Sequence, residues 1–130
     1  MLNKDNWKKI YNRSVNIKNL RYSFKNKLIL NRYLKINSSK KDLYNWINTF
    51  KRIKKKIFVK NGKILEIGCG SGALLDFFSK EMNVYGVDNS KFLLDIAKET
   101  LPNGTFILKN ADNINFKKNF FDSIVLYSCI

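Results

Sequence analysis

Glu66, Gly68, Gly70, Gly72 and Asp88 are the residues of this chain whose types and spacing point to chemistry. The three glycines alternate with Cys69 and Ser71, and Asp88 lies about twenty residues beyond the first of them. Glycines at this spacing let a chain turn sharply and let a ligand approach the backbone. Asp88 directly follows the apolar run Val84-Tyr85-Gly86-Val87. A carboxylate at a strand end can accept two hydrogen bonds from vicinal ribose hydroxyls, the donors that an adenosine ligand presents. Its plainer reading is a helix-start residue beside Asn89-Ser90, but strand, turn, helix and acid in this order favour ribose binding. Cys69 has no base near it in sequence and reads as a small packing residue, not a nucleophile. Histidine is absent, which removes the commonest general base and metal ligand. With only Cys69 and Cys129 present, neither a disulfide framework nor a zinc cluster is expected, and no metal site is assigned.

These residues need strands and helices to position them. After the turn signal Asn61-Gly62, short apolar runs alternate with helical patterns, the sequence form of an α/β unit around a parallel sheet. The pattern predicts strands over 64–67, 84–87, 105–108 and 123–127. It predicts helices over 73–80 and 91–101, the second capped by Ser90 and stopped by Pro102-Asn103-Gly104. Upstream, Leu43, Trp46, Ile47, Phe50, Ile53 and Ile57 form the stripe of an amphipathic helix over 42–57, with Ser39 and Asp42 as a capping box. Phe24, Leu28, Tyr33 and Leu34 suggest a looser helix before it. The chain thus divides into a basic helical segment, 1–60, and an α/β half domain, 61–130. Trp7, Tyr11, Tyr22 and Phe24 are expected to pack against that later unit rather than to cover a ligand.

The net charge of +15 is confined to the first segment. Residues 1–60 hold 18 Lys and Arg against 2 Asp and Glu, whereas residues 61–130 hold 7 against 8. Such a surface can attract nucleic acid or an anionic membrane through phosphate charge. Yet 21 of the 25 basic residues are Lys, where dedicated phosphate recognition recruits Arg, so the codon usage of an A/T-rich genome is the favoured explanation. No apolar run approaches membrane-spanning length and the first residues lack a signal-peptide core, so a soluble, cytoplasmic protein is expected.

The run Ile64-Leu65-Glu66-Ile67-Gly68-Cys69-Gly70-Ser71-Gly72 resembles the first motif of the class I, Rossmann-like S-adenosylmethionine-dependent methyltransferases. Val84 through Ser90 resembles the family's second-strand signature, and Phe120 through Val125 the entry to its fourth strand. The resemblance runs from Lys63 to Ile130. It implies a Rossmann-like parallel sheet with the first four strands in the order 3-2-1-4, part of a seven-stranded methyltransferase fold that is incomplete here. S-adenosyl-L-methionine is the implied cofactor. Glu66 would meet its α-amino cation, Gly68, Gly70 and Gly72 would pass close to it, and Asp88 would take the ribose. Cys69 and Asn89 fall among the same cofactor-binding positions. Adenine recognition would fall to Asn110, where the family commonly has an acid, with the backbone of Ala111, or to Asp112 if the loop is shifted.

One rival shares the pattern. Gly68-x-Gly70-x-x-Ala73 with Asp88 also satisfies the dinucleotide fingerprint of an NAD(P)-dependent oxidoreductase. Glu66 argues against it, because a carboxylate there would repel a pyrophosphate but attract an ammonium. A third reading is a non-catalytic S-adenosylmethionine-binding module or truncated fragment. The methyl acceptor, taken as a small molecule, and any catalytic residue are not legible, although Tyr127 and Ser128 fall where acceptor-side groups often lie in the family. A C-terminal half, or self-association through the apolar fourth strand, is the expected way to complete the sheet.

Overall fold

The computed structural model describes residues 23–127. Trp7, Tyr11 and Tyr22, and Ser128, Cys129 and Ile130, lie outside the described residues. The chain opens with α1 (Phe24–Leu30), whose first turn is capped by the Ser23 hydroxyl accepting from the Asn26 N–H. Arg32 adopts a left-handed conformation, and the N–H groups of Tyr33 and Leu34 both donate back to the Leu28 carbonyl. Tyr33 and Leu34 therefore lie in the turn that ends α1, which is why their spacing looked loose for a helix.

Helix α2 (Lys40–Ile57) starts at the expected capping box. The Asp42 N–H donates to Ser39 Oγ at 3.2 Å and the Ser39 N–H to Asp42 Oδ2 at 3.1 Å. Two donors that a helix start leaves orphaned are thereby satisfied.

Then follow β1 (Lys63–Ile67), α3 (Ala73–Asp76), β2 (Asn83–Asp88), α4 (Lys91–Thr100), β3 (Thr105–Leu108), a 3-10 turn (Ala111–Asn113) and β4 (Ser123–Val125). All strand pairs are parallel, in the order β3-β2-β1-β4. The register sets Glu66 between Gly86 and Val125, so the acid of the first motif stands on a central strand. Ile64, Leu65 and Glu66 are all buried, the behaviour of a parallel strand covered on both faces.

One core unites the helices with the sheet: Leu28 of α1 and Phe50 of α2 are buried with Ile64, Phe78, Val84 and Leu94. Phe50 also sits at the centre of an aromatic cluster, 5.7 Å from Phe24, 5.8 Å from Tyr33 and 5.6 Å from Phe77 between ring centroids. Phe24 thus packs as its composition suggested. A second aromatic group, Tyr85 with Phe120 and Phe121, joins β2 to the connection before β4.

Helix α3 and strand β4 fall short of their patterns by more than one residue. Helix α3 ends at Asp76 rather than Lys80 because Phe77 and Phe78 donate to Leu74 and Leu75, a tighter winding that carries Phe78 into the core. Strand β4 stops pairing at Val125 rather than Tyr127. The reason lies in β1: beyond Ile67 the chain leans toward β2, with the Gly68 and Cys69 N–H groups both donating to the Val87 carbonyl. Ile124 and Leu126 stay exposed.

Candidate functional site

The carboxyl ends of β1, β2 and β3 lie side by side, and the loops that leave them carry the residues singled out from the sequence. In an open parallel sheet this edge is where ligands bind. The loop after β1 turns through Gly68, Gly70 and Gly72 with φ of 79°, 56° and 82°, a region that L side chains rarely adopt. Strand β2 contributes a glycine of a different kind. A Cβ on Gly86 would stand 2.6 Å from Cys69 Sγ, so the bare backbone there is what lets the loop lie down on the sheet.

Asp88 ties the edge together. Its Oδ2 accepts from the Gly70 N–H at 2.8 Å and its Oδ1 from the Ser90 N–H at 2.9 Å. The second bond is the plain helix-start role, since Ser90 caps α4 by accepting from the Leu93 N–H. The first fixes the glycine loop against β2. Its backbone carbonyl also accepts from the Lys109 N–H at 3.0 Å, which brings the loop after β3 beside it. Asn89, Asn110, Ala111 and Asp112 are all exposed on this rim, with Asn110 leading into the 3-10 turn.

Glu66 lies beneath the loop and is 1 % exposed. Its Oε1 is buried with no hydrogen-bond partner. Burial, and then the negative charge of Asp88, push its carboxyl well above the ordinary value. Cys69 is fully buried, and burial with Glu66 and Asp88 nearby pushes its thiol up as well. A neutral, enclosed thiol is not a nucleophile, in keeping with the packing role.

Sequence reasoning missed what helix α1 brings here. Asn31, at its C-terminal end, bonds to Cys69 and Ser71 of the glycine loop. Lys27, one turn earlier, is fully buried, with Nζ 3.6 Å from Asp76 Oδ2 on α3. Burial lowers its pKa, and Asp76 opposes that shift. No sequence signal marked either residue, because each acts across roughly forty to fifty residues of chain on a partner that only the fold brings near. Among the described residues no group of His, Cys, Asp and Glu could hold a metal ion, and no helix is long and apolar enough to cross a membrane.

Residues 64–130 match the family model of a methyltransferase domain. The chain therefore belongs to the methyltransferase domain family, and its sheet is the first four strands of the class I, Rossmann-like S-adenosylmethionine-dependent methyltransferase fold. That membership sets the glycine motif in a methyltransferase domain rather than in the dinucleotide-binding domain of the oxidoreductase alternative.

Among curated proteins, the chain is 32% identical over 100 residues to the demethylmenaquinone methyltransferase of Thermotoga maritima, covering 68% of this chain and 44% of that protein. It is 31% identical over 71 residues to the ubiquinone/menaquinone biosynthesis C-methyltransferase UbiE of Campylobacter jejuni, covering 48% and 30%. Among solved structures, a TehB-like SAM-dependent methyltransferase from Corynebacterium glutamicum superposes with a TM-score of 0.54 at 24% identity, covering 68% of this chain and 53% of that one. The chain spans less than half the length of these curated relatives.

Proposed function

We propose that the chain holds S-adenosylmethionine along the carboxyl ends of β1, β2 and β3, for methyl transfer to a small-molecule acceptor. The observation that carries this reading is Glu66: a carboxylate buried on a central strand, with one oxygen lacking any partner, is costly unless a cation meets it. The α-ammonium of the cofactor is such a cation. Each Asp88 oxygen accepts one backbone N–H, and a carboxylate offers about four acceptor sites, which leaves capacity for two ribose hydroxyls. Asn110, Ala111 and Asp112 beside it suit an adenine ring, and Asn89 lies on the same rim. The glycine loop, with Cys69 packed under it, brings backbone close to the ligand.

When bound, the cofactor supplies a methyl group activated by sulfonium charge. The work left to the chain is to orient the ligand and keep water out, which suffices for much of an in-line displacement. No catalytic residue is assigned. Tyr127 packs 5.7 Å from Tyr33 and 6.1 Å from Phe50, so strand-end packing accounts for it.

Residues 1–60, of which 1–22 lie outside the described residues, are read as a basic segment that is helical over Phe24–Leu30 and Lys40–Ile57, and 61–130 as the cofactor-binding half. A cytoplasmic setting and a C-terminal segment or second copy along β4 complete the reading. Equilibrium dialysis against S-adenosylmethionine tests it. Wild type should retain about one equivalent, and Asp88→Ala should bind about 1.5 to 3 kcal/mol more weakly through loss of charged hydrogen bonds. Equal retention by both, or none by the wild type, would overturn it.

A further inference from the structure

We propose that Asn31 is a positioning residue for this site: together with Asp88 it fixes the turn Cys69-Gly70-Ser71, and it makes cofactor affinity depend on helix α1. The proposal rests on the cofactor reading above. Its amide uses both ends. Asn31 Nδ2 donates to the Cys69 carbonyl at 3.1 Å, while Oδ1 accepts from the Ser71 N–H at 2.8 Å and lies 2.8 Å from Ser71 Oγ. The hydroxyl also lies 3.2 Å from the Lys27 carbonyl, so its single proton is shared between two acceptors that both belong to α1.

Only a side chain with a donor and an acceptor at this length can hold the carbonyl of one residue and the N–H of the next but one. The middle residue, Gly70, is held from β2 by Asp88, and a Cβ on it would collide with the Asn31 amide. The turn is therefore gripped from two directions, one by a strand of the sheet and one by a helix outside it.

Asn31 is itself fixed. It is the C-cap of α1, its N–H donating to the Lys27 carbonyl at 2.9 Å, and Leu28 and Leu30 anchor the helix in the core. Lys27 adds a second link from α1 to the region through its ion pair with Asp76, the last residue of α3. Lys27 and Asn31 thus support the glycine loop and α3 although they lie outside the matched family region.

The test uses the full chain as wild type, Asn31→Ala, Asn31→Asp and, as a stability control remote from the site, Ser39→Ala. Two quantities are read: the dissociation constant for S-adenosylhomocysteine, and the exchange rate of the Ser71 amide in the ligand-free protein. Asn31→Ala should weaken binding at least tenfold and speed Ser71 exchange at least tenfold, each lost bond contributing on the order of a tenfold factor. Asn31→Asp, which keeps the acceptor and loses the donor to Cys69, should fall between it and wild type. Ser39→Ala should lower the unfolding midpoint and leave both readings unchanged.

Unchanged affinity and unchanged Ser71 exchange in Asn31→Ala would overturn the proposal, as would equal losses in Ser39→Ala. If the wild type binds no S-adenosylhomocysteine, the cofactor reading fails. The clamp is then judged on Ser71 exchange alone, fast exchange in Asn31→Ala supporting it and unchanged exchange refuting it.

Discussion

Replacing Glu66 by Gln should abolish a pH dependence of stability that the wild type carries in its cofactor-free form. Burial and the Asp88 charge raise the Glu66 pKa well above its ordinary value of 4.5. A folded chain that holds this proton more tightly than the unfolded chain loses stability as pH rises from about 4.5 toward the raised value. One proton sets the slope at up to about 1.4 kcal/mol per pH unit. Gln carries no charge at any pH, so the slope contributed by residue 66 disappears, and the variant should be the more stable protein at neutral pH. Lys27 acts in the opposite sense, its lowered pKa costing stability as pH falls. Subtracting the variant from the wild type removes that contribution. Urea unfolding of both proteins at about pH 5, 6, 7 and 8 supplies the measurement. The same substitution should weaken cofactor binding, since the ammonium loses its counter-charge. Parallel pH profiles for the two proteins would refute the argument that Glu66 is an uncompensated buried acid.

The packing and charge of the helical segment give further expectations. Phe50→Ala empties the centre of the aromatic cluster shared by α1, α2 and the residues after α3, and should cost about 3 to 5 kcal/mol in chemical denaturation. Binding of a short RNA to the full chain, followed by anisotropy, should be weak and fall steeply with salt, because the exposed Lys residues of α2 act by counterion release. Affinity that survives raised salt would instead make nucleic acid the acceptor to pursue.

What was legible in the sequence was local. The capping box at Ser39 and Asp42, the Ser90 cap and the third strand each follow from a few neighbouring residues, and each stands where its pattern put it. Strand order is not local, and 3-2-1-4 came from the resemblance of the glycine motif. The end of α3 is not legible because a run such as Leu74, Leu75, Phe77 and Phe78 satisfies a helix and a tight turn equally until the core decides which side chain is buried. Asp88 was legible as an acid after a strand, but not its grip on Gly70. Asn31 was hidden altogether, since one Asn in a basic helical segment has no periodicity and its partners lie forty residues away.

The decisive property of this site is whether it takes an adenosyl amino acid. Calorimetric titration of the folded full chain with S-adenosylhomocysteine and, separately, with NADH measures that. Saturable binding of about one equivalent of S-adenosylhomocysteine is expected, accompanied by proton release as Glu66 ionises against the ammonium, with no binding of NADH. Tight NADH binding, or a folded chain that ignores S-adenosylhomocysteine, would contradict it.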